Sequence, residues 1–457
     1  MQLVAYGAQD VYLTANPQVT FFKQLYRRHT NFAMESVEQT FSGVANFGKR
    51  VTCTIARNGD LISKIYLQAT LPKVDLNDST ISSASGDQFR WLNWPGHNLI
   101  RSVWIEIGGQ QIDKHYGDWL HIWNELTCPA GKQAGYAEMV GNVPQLVNLI
   151  TQVGADGGCD DDCFAGDPHT SAEARSCCPA YTMYIPLQFW FNRHIGLALP
   201  LISLQYHEIK INIDFNSLNN LCWSNNPSVI NAVNDTGLRA ASLYVDYIFL
   251  DTEERRRFAQ VAHEYLIDQL QYTGEESVTS SSNKIKLSFN HPVKEIIWVV
   301  QRDSFVACDS ATINPWKGQQ PFNYSDFWDR AALESGYSIT TVKGLAGSNP
   351  TVVAKIQLNG HDRFSMREGP YFNLVQPFQH HTNIPATGIN VYSFSLNPED
   401  HQPSGSCNFS RIDNATLCLT LSNNTVSATN TAKVRAYGRN YNVLRVMSGM
   451  GGLAYSN

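Results

Sequence analysis

At 457 residues the chain is longer than one hydrophobic core usually serves, so size alone leads us to expect two domains. Hydrophobic residues at 43% against 16% charged exclude a disordered chain, and 20 Tyr, 21 Phe, 31 Gly and 19 Pro favour short strands joined by tight turns. The net charge of -6 excludes a uniformly basic surface of the kind that grips a nucleic-acid backbone, and direct nucleic-acid binding is not expected. Met1 to Tyr6 lacks the basic region and apolar stretch of a secretory signal, and no apolar run reaches the about 18 residues a bilayer span needs, so a soluble, non-exported protein is expected.

In chain order, the first stretch ends at about Arg28 on an aromatic-basic pattern, Phe21-Phe22-Lys23 and Tyr26-Arg27-Arg28. Strand-like stretches follow at Arg50 to Ala56, Leu61 to Leu71, Ile100 to Ile107, Tyr181 to Phe191, His207 to Phe215 and Ser242 to Leu250. They resume at Lys284 to Phe289, Lys294 to Val300, Ala354 to Leu358, Asn390 to Leu396, Ala415 to Leu421 and Lys433 to Tyr437. Ile209-Lys210-Ile211-Asn212-Ile213 shows the alternation that turns every second side chain to one face. Long helical periodicity is scarce.

The order of elements is duplicated. Ile105-Glu106-Ile107-Gly108-Gly109 followed by Trp119-Leu120 echoes Ile356-Gln357-Leu358-Asn359-Gly360 followed by Tyr371-Phe372, and each reads as strand, hairpin turn and aromatic-bearing segment. A strand comes next in each half, Phe189-Trp190-Phe191 and then Tyr392-Ser393-Phe394. The copies are offset by roughly 250 residues at the hairpin and about 205 later on, so the first carries surplus chain. That surplus is Pro129 to Pro179, rich in Gly, Asp and Ala and read as a long surface loop. Asp251 to Phe258, with Arg255, Arg256 and Arg257, reads as a solvated helix face paired with Glu253 and Glu254, and it marks the boundary between halves. Two strand-rich halves of jelly-roll size, without helices to cover a parallel sheet, suggest an all-β protein of antiparallel sandwiches with Greek-key connections, and jelly rolls of that kind build capsids, lectins and cupin enzymes.

Ten cysteines are too few for a disulfide scaffold, and most should be buried thiols. Cys159, Cys163, Cys177 and Cys178, with His169 among them, number enough for a tetrahedral zinc site, but adjacent Cys177 and Cys178 would strain it. Disulfide closure of an exposed loop is preferred, with reduced thiols and metal as alternatives. Glycosylation sequons fall at Asn77, Asn234, Asn323, Asn408, Asn414 and Asn423; Asn408 and Asn414 lie in or beside strands, which leaves Asn77, Asn234, Asn323 and Asn423 as the better candidates. Catalytic patterns fail: His263-Glu264 lacks the second histidine of a metalloprotease helix, His380-His381 lacks cupin spacing, and Asp160-Asp161 sits where nothing positions it. No cofactor is expected. Trp91 and Trp94 keep a lectin open as a rival, although burial in a core or interface explains them better. A carbohydrate-active enzyme would need facing carboxylates, and no specific pair is visible.

Several blocks span the chain: Leu3-Val4-Ala5-Tyr6-Gly7-Ala8-Gln9-Asp10-Val11-Tyr12-Leu13-Thr14, Arg57-Asn58-Gly59-Asp60-Leu61-Ile62, Ile107-Gly108-Gly109-Gln110 with Ile112-Asp113-Lys114-His115-Tyr116, Leu197-Ala198-Leu199-Pro200-Leu201-Ile202 and Asp246-Tyr247-Ile248-Phe249-Leu250-Asp251. The tail adds Cys407-Asn408-Phe409-Ser410-Arg411-Ile412-Asp413-Asn414-Ala415-Thr416 and Tyr441 to Tyr455. Together they resemble the major capsid proteins of nucleocytoplasmic large DNA viruses, most closely those of algal and chlorella viruses. The resemblance implies a non-enzymatic shell protein, a double jelly roll whose three copies form a pseudo-hexameric trimer in the virion capsid, assembled in the host cytoplasm. It implies an arm over 1–28 facing the capsid interior, a first jelly roll over 29–251, a linker over 252–270 and a second jelly roll over 271–457. It further implies minor capsid and penton proteins as partners, an internal viral membrane nearby, outward loops at Pro129 to Pro179 and Cys308 to Ser348, and glycans on the surface.

Overall fold

The computed structural model describes residues 7–18, 24, 26–77, 86–152, 176–306, 320–326, 347–427 and 430–455. Eight principal strands form the first half: β1 Phe32–Gln39, β2 Arg50–Thr54, β3 Leu61–Leu71, β4 Ile100–Ile107, β5 Gln110–Tyr116, β6 Tyr181–Pro186, β7 Ile209–Phe215 and β8 Ala240–Leu250. Eight form the second: β9 His263–Val278, β10 Ser282–Lys286, β11 Pro292–Arg302, β12 Thr351–Leu358, β13 His361–Asp362, β14 Ile389–Ser393, β15 Ala415–Leu421 and β16 Ala432–Met447. The first half pairs in the orders β1-β8-β3-β6 and β2-β7-β4-β5, and the second repeats them as β9-β16-β11-β14 and β10-β15-β12-β13, all antiparallel. Strand n of one half thus takes the place of strand n plus eight in the other. Each half is a jelly roll, and the duplication is one of topology as well as sequence.

Alternation sets what each sheet buries. Ile65, Leu67, Ala69 and Leu71 of β3 face Val103, Ile105 and Ile107 of β4 and Ile209, Ile211 and Ile213 of β7 across the first core. The second core gathers Ile296, Trp298 and Val300 with Ile356, Leu417, Leu419 and Val434. The cores are not fully separate: Ile267 of β9 and Leu444 and Val446 of β16 pack into the first.

The two hairpins that carry the internal repeat share one turn. Gly108 and Gly109 take φ of 60° and 83°, and Asn359 and Gly360 take 52° and 82°. Positive φ at both central residues is the two-residue hairpin geometry whose twist suits paired strands, and Gly and Asn enter it at least cost.

Some expectations need correction. The stretch Tyr181 to Phe191 is strand only to Pro186, and Trp190–Arg193 is a helical turn; proline offers no N–H to extend the ladder. Strand β1 was not anticipated, and β9 begins inside the span 252–270 that was expected to be a linker. The segment 129–179 is not simply a surface loop. It opens with a helix at Ala130–Met139, and Val140, Leu146 and Ile150 are buried.

Candidate functional site

The most constructed part of the molecule is the seam between the jelly rolls. Helix α1, Gly117–Thr127, follows β5 and lies on the outward face of the sheet β9-β16-β11-β14. Its Trp119, Ile122, Trp123 and Leu126 pack on Ile297, Val299, Ile389, Val391 and Tyr437. Because that sheet is covered on both sides, β11 reads as a nearly continuous buried run instead of an alternating one. Each large apolar side chain fully withdrawn from water contributes about 1.5–3 kcal/mol. Gly117 starts the helix tight against its own half, since a Cβ there would lie 2.4 Å from the carbonyl oxygens of His97 and Ile100.

Into this apolar contact the chain sets charge. Asp268 of β9, Lys294 and Glu295 of β11 and Arg439 of β16 are all buried. Lys294 Nζ lies 3.0 Å from Asp268 Oδ1, Arg439 Nη2 3.2 Å from Asp268 Oδ2, and Arg439 Nη1 2.7 Å from Glu295 Oε1. His381 completes a chain, its Nε2 2.8 Å from Glu295 Oε2 and its Nδ1 2.8 Å from Glu399 Oε1. The first jelly roll reaches in with Arg193, 3.6 Å from Asp268, and with Trp123, whose ring lies 4.2 Å below the Arg439 guanidinium. Burial alone would raise the Glu295 carboxyl, but His381 and Arg439 outweigh it and hold it at about 2. Burial would lower His381, and Glu295 with Glu399 bring it instead to about 9. Burial presses Lys294 down to about 8, helped by Arg439 and opposed by Asp268.

Hydrogen bonds and a further ion pair tie the halves elsewhere along the seam. Arg435 Nη1 meets Asp118 Oδ2 of α1 at 2.6 Å, Asp113 Oδ1 accepts from Leu270 N at 3.1 Å, and Glu125 Oε2 accepts from Ala386 N at 3.0 Å. Beside them an aromatic box holds two buried histidines, His97 and His121, with ring centroids 5.7 Å apart. Phe322 of the second half lies 4.4 Å from His121. Desolvation lowers both histidines, His121 to about 3. A cleft of about 490 Å³ opens alongside, lined in part by Arg101, Asp118, Glu275 and Arg435. This constellation pairs charge with charge: Asp268 and Glu295 are each held by two or more cationic groups.

The sites expected from sequence lie elsewhere. Cys159, Cys163 and His169 fall outside the described residues. Cys177 is disulfide-bonded, while Cys178 packs into the first core. Neighbours on one strand point to opposite faces, so these two sulfurs do not converge on one ion. Asn234 and Asn423 are exposed, Asn234 on the helix Pro227–Thr236 and not in a loop. Asn77 and Asn323 are half-buried, and their amides donate to Ser176 Oγ and Gln320 Oε1. Asn408 and Asn414 are exposed. Trp91 is fully buried and Trp94 stacks on His97, so neither offers a sugar platform. Arg255 does not pair with the neighbouring glutamates; its Nε lies 2.9 Å from the buried Asp60 of the first jelly roll. Among the described residues the arm carries a short exposed helix, Val11–Thr14.

Residues 20–251 match the family described as major capsid protein N-terminus, and residues 254–452 match the large eukaryotic DNA virus major capsid protein. The chain belongs to the major capsid proteins of large eukaryotic DNA viruses. This capsid protein is 53% identical to the major capsid protein of Phaeocystis pouchetii virus, over 100% of its own length and 99% of that relative's. It is 41% identical to the one from Paramecium bursaria Chlorella virus 1, with the same coverage. The VP54 capsid protein of PBCV-1 superposes with a TM-score of 0.71 at 37% identity, covering 96% of this chain and all, 100%, of that one. The Faustovirus major capsid protein shares the fold at 13% identity, with a TM-score of 0.72 over 97% of this chain and 94% of the other. The capsid protein is thus a double jelly roll with a structural role in the virion shell.

Proposed function

We propose that this capsid protein works as a homotrimeric capsomer that tiles an icosahedral shell and catalyses nothing. The observation that carries this reading is the duplicated strand order: two jelly rolls locked in one chain give three copies six similar walls, which suits a near-hexagonal tile. Weak contacts between tiles accumulate over a lattice, so each can be modest. The chain divides on this reading into an arm over 1–28 and jelly rolls either side of the helix Thr252–Gln260. The arm meets minor capsid proteins on the inner side, near the internal viral membrane, and penton proteins join at the vertices. Among the described residues no helix is long and apolar enough to cross a membrane. Assembly takes place in the host cytoplasm. Glycans would attach first at Asn234 and Asn423, whose exposure suits an acceptor better than the engaged amides of Asn77 and Asn323. Light scattering of the purified protein tests the core of this reading: a mass three times that of the chain supports it, and a monomer at assembly concentrations refutes it.

A further inference from the structure

The two jelly rolls repeat one strand order but cover their first sheets unequally. In the second, the outward face of β9-β16-β11-β14 lies under α1. In the first, the outward face of the equivalent sheet β1-β8-β3-β6 is covered at its Leu61 and Ile248 end, by Ala198 and by Phe258 of the helix Thr252–Gln260, and its Tyr66 and Tyr244 row carries no such apolar cover among the described residues. Its outward positions include Tyr66, Gln68 and Tyr244, all half-buried, and Tyr184, which is 44% exposed. Tyr66 and Tyr244 are register partners on adjacent strands, and Tyr184 pairs with Gln68 one row away, so the three rings share one patch.

The element that would match α1 in the second half is the helical segment Tyr371–His380, which likewise sits between the fifth and sixth strands of its barrel. It buries Phe372, Asn373 and Gln376 against its own barrel. Its other side leaves Leu374, Val375 and Phe378 at 46%, 40% and 76% exposure. Leu396, 71% exposed, lies beside it, its carbonyl 2.8 Å from His380 Nδ1. An apolar face of this kind is unusual on a surface that meets only water.

We propose that Leu374, Val375 and Phe378 of one copy seat on the Tyr66, Tyr184 and Tyr244 patch of the next copy, repeating between chains the seam that α1 makes within a chain. The inference rests on the trimer reading and names its contact. Tyrosine suits such a position, since its ring packs on apolar side chains while its hydroxyl stays at the wet rim. The contact is head-to-tail: the surface given by one copy differs from the surface received by the next. Within the chain the first jelly roll supplies the helix and the second the sheet; between chains the roles exchange. Alternating these two similar seams lets three copies close a ring with no face left over.

The test uses the full chain. Phe378→Asp and Tyr184→Asp change exposed side chains, and thermal melts check that each variant keeps the parent fold. Sedimentation over a concentration series should show either substitution raising the concentration of half-dissociation roughly 30-fold or more, as for a central contact residue. A second measurement needs no loss of assembly. Protein carrying only Phe378→Cys is mixed with protein carrying only Tyr184→Cys under mild oxidation, and a covalent dimer should form in the mixture but in neither sample alone. Unaltered trimers in both Asp variants, together with no mixed dimer, would overturn the assigned seam while leaving the trimer standing. A parent protein that stays monomeric would overturn both.

Discussion

The interior of the first barrel and the seam between the barrels are both buried, yet they are made of different things. The barrel interior stacks Ile, Val and Leu from β3, β4 and β7. The seam places Asp268, Lys294, Glu295, Arg439 and His381 among Trp123, Ile297 and Tyr437. Apolar interiors accept swaps of similar volume and tolerate small slippage. A buried ionic cluster tolerates neither, because any shift leaves a charge without its partner. We take the difference to mean that the barrels supply stability and the seam supplies a single relative orientation, which a tile edge requires.

The strongest way to break this comparison is Glu295→Ala, which strips Arg439 and His381 of a shared carboxylate. Loss of about 3–5 kcal/mol is expected in denaturant unfolding; a loss under about 1 kcal/mol would mean the ions add nothing to the seam.

Next in size is the response to pH. His381 sits at about 9 when folded against an ordinary 6.5, so its stabilisation is complete below 6.5 and disappears as pH rises toward 9. His121 sits at about 3, so below 6.5 the unfolded chain takes a proton that the folded one refuses, and stability falls toward acid. Glu295, at about 2 against 4.5, adds a further loss as pH drops below 4.5. Stability should therefore peak near neutrality, with limbs of up to about 1.4 kcal/mol per pH unit for each group. Melting curves of His121→Phe should show a shallower acid limb and an unchanged alkaline one.

Against these, a trimmed methyl in the barrel should matter less: Ile211→Val is expected to cost about 1 kcal/mol with no change in the pH profile. Of similar size, Gly109→Ala and Gly360→Ala should each cost about 1–2 kcal/mol. Both added methyls would find open space, so only the positive φ is penalised. Matching values would show that the two hairpins are energetically as well as geometrically alike.

Much of the barrel architecture was legible because alternation and turn chemistry are local. Leu61–Leu71, Ile100–Ile107 and Ala415–Leu421 are strands with the bounds their patterns imply. Strand β1 escaped notice because Phe-Ala-Met-Glu-Ser-Val-Glu-Gln lies on a sheet edge and is exposed along most of its length, with only Val37 and Gln39 turned inward. The opening of β9 was hidden by Glu264 and Asp268, whose charges are answered by residues distant in sequence, Arg445 for the first and Arg193, Lys294 and Arg439 for the second. The seam was illegible for the same reason: Asp268 and Arg439 are 171 positions apart, and nothing near either one announces the other. One signal was available, since Lys294-Glu295 interrupts an apolar strand where charge has no local excuse. His380-His381 was set aside for lacking a metal pattern, whereas His381 earns its burial from two carboxylates.

The packing of Ile267, Leu444 and Val446 into the first core carries a consequence for how the protein is made. The first barrel leaves the ribosome early, but two of its lining residues, Leu444 and Val446, arrive only after almost all of the second barrel. A chain stopped before β16 would leave the first core open where Leu444 and Val446 fill it. Closure of the first barrel thus depends on the last long strand of the second.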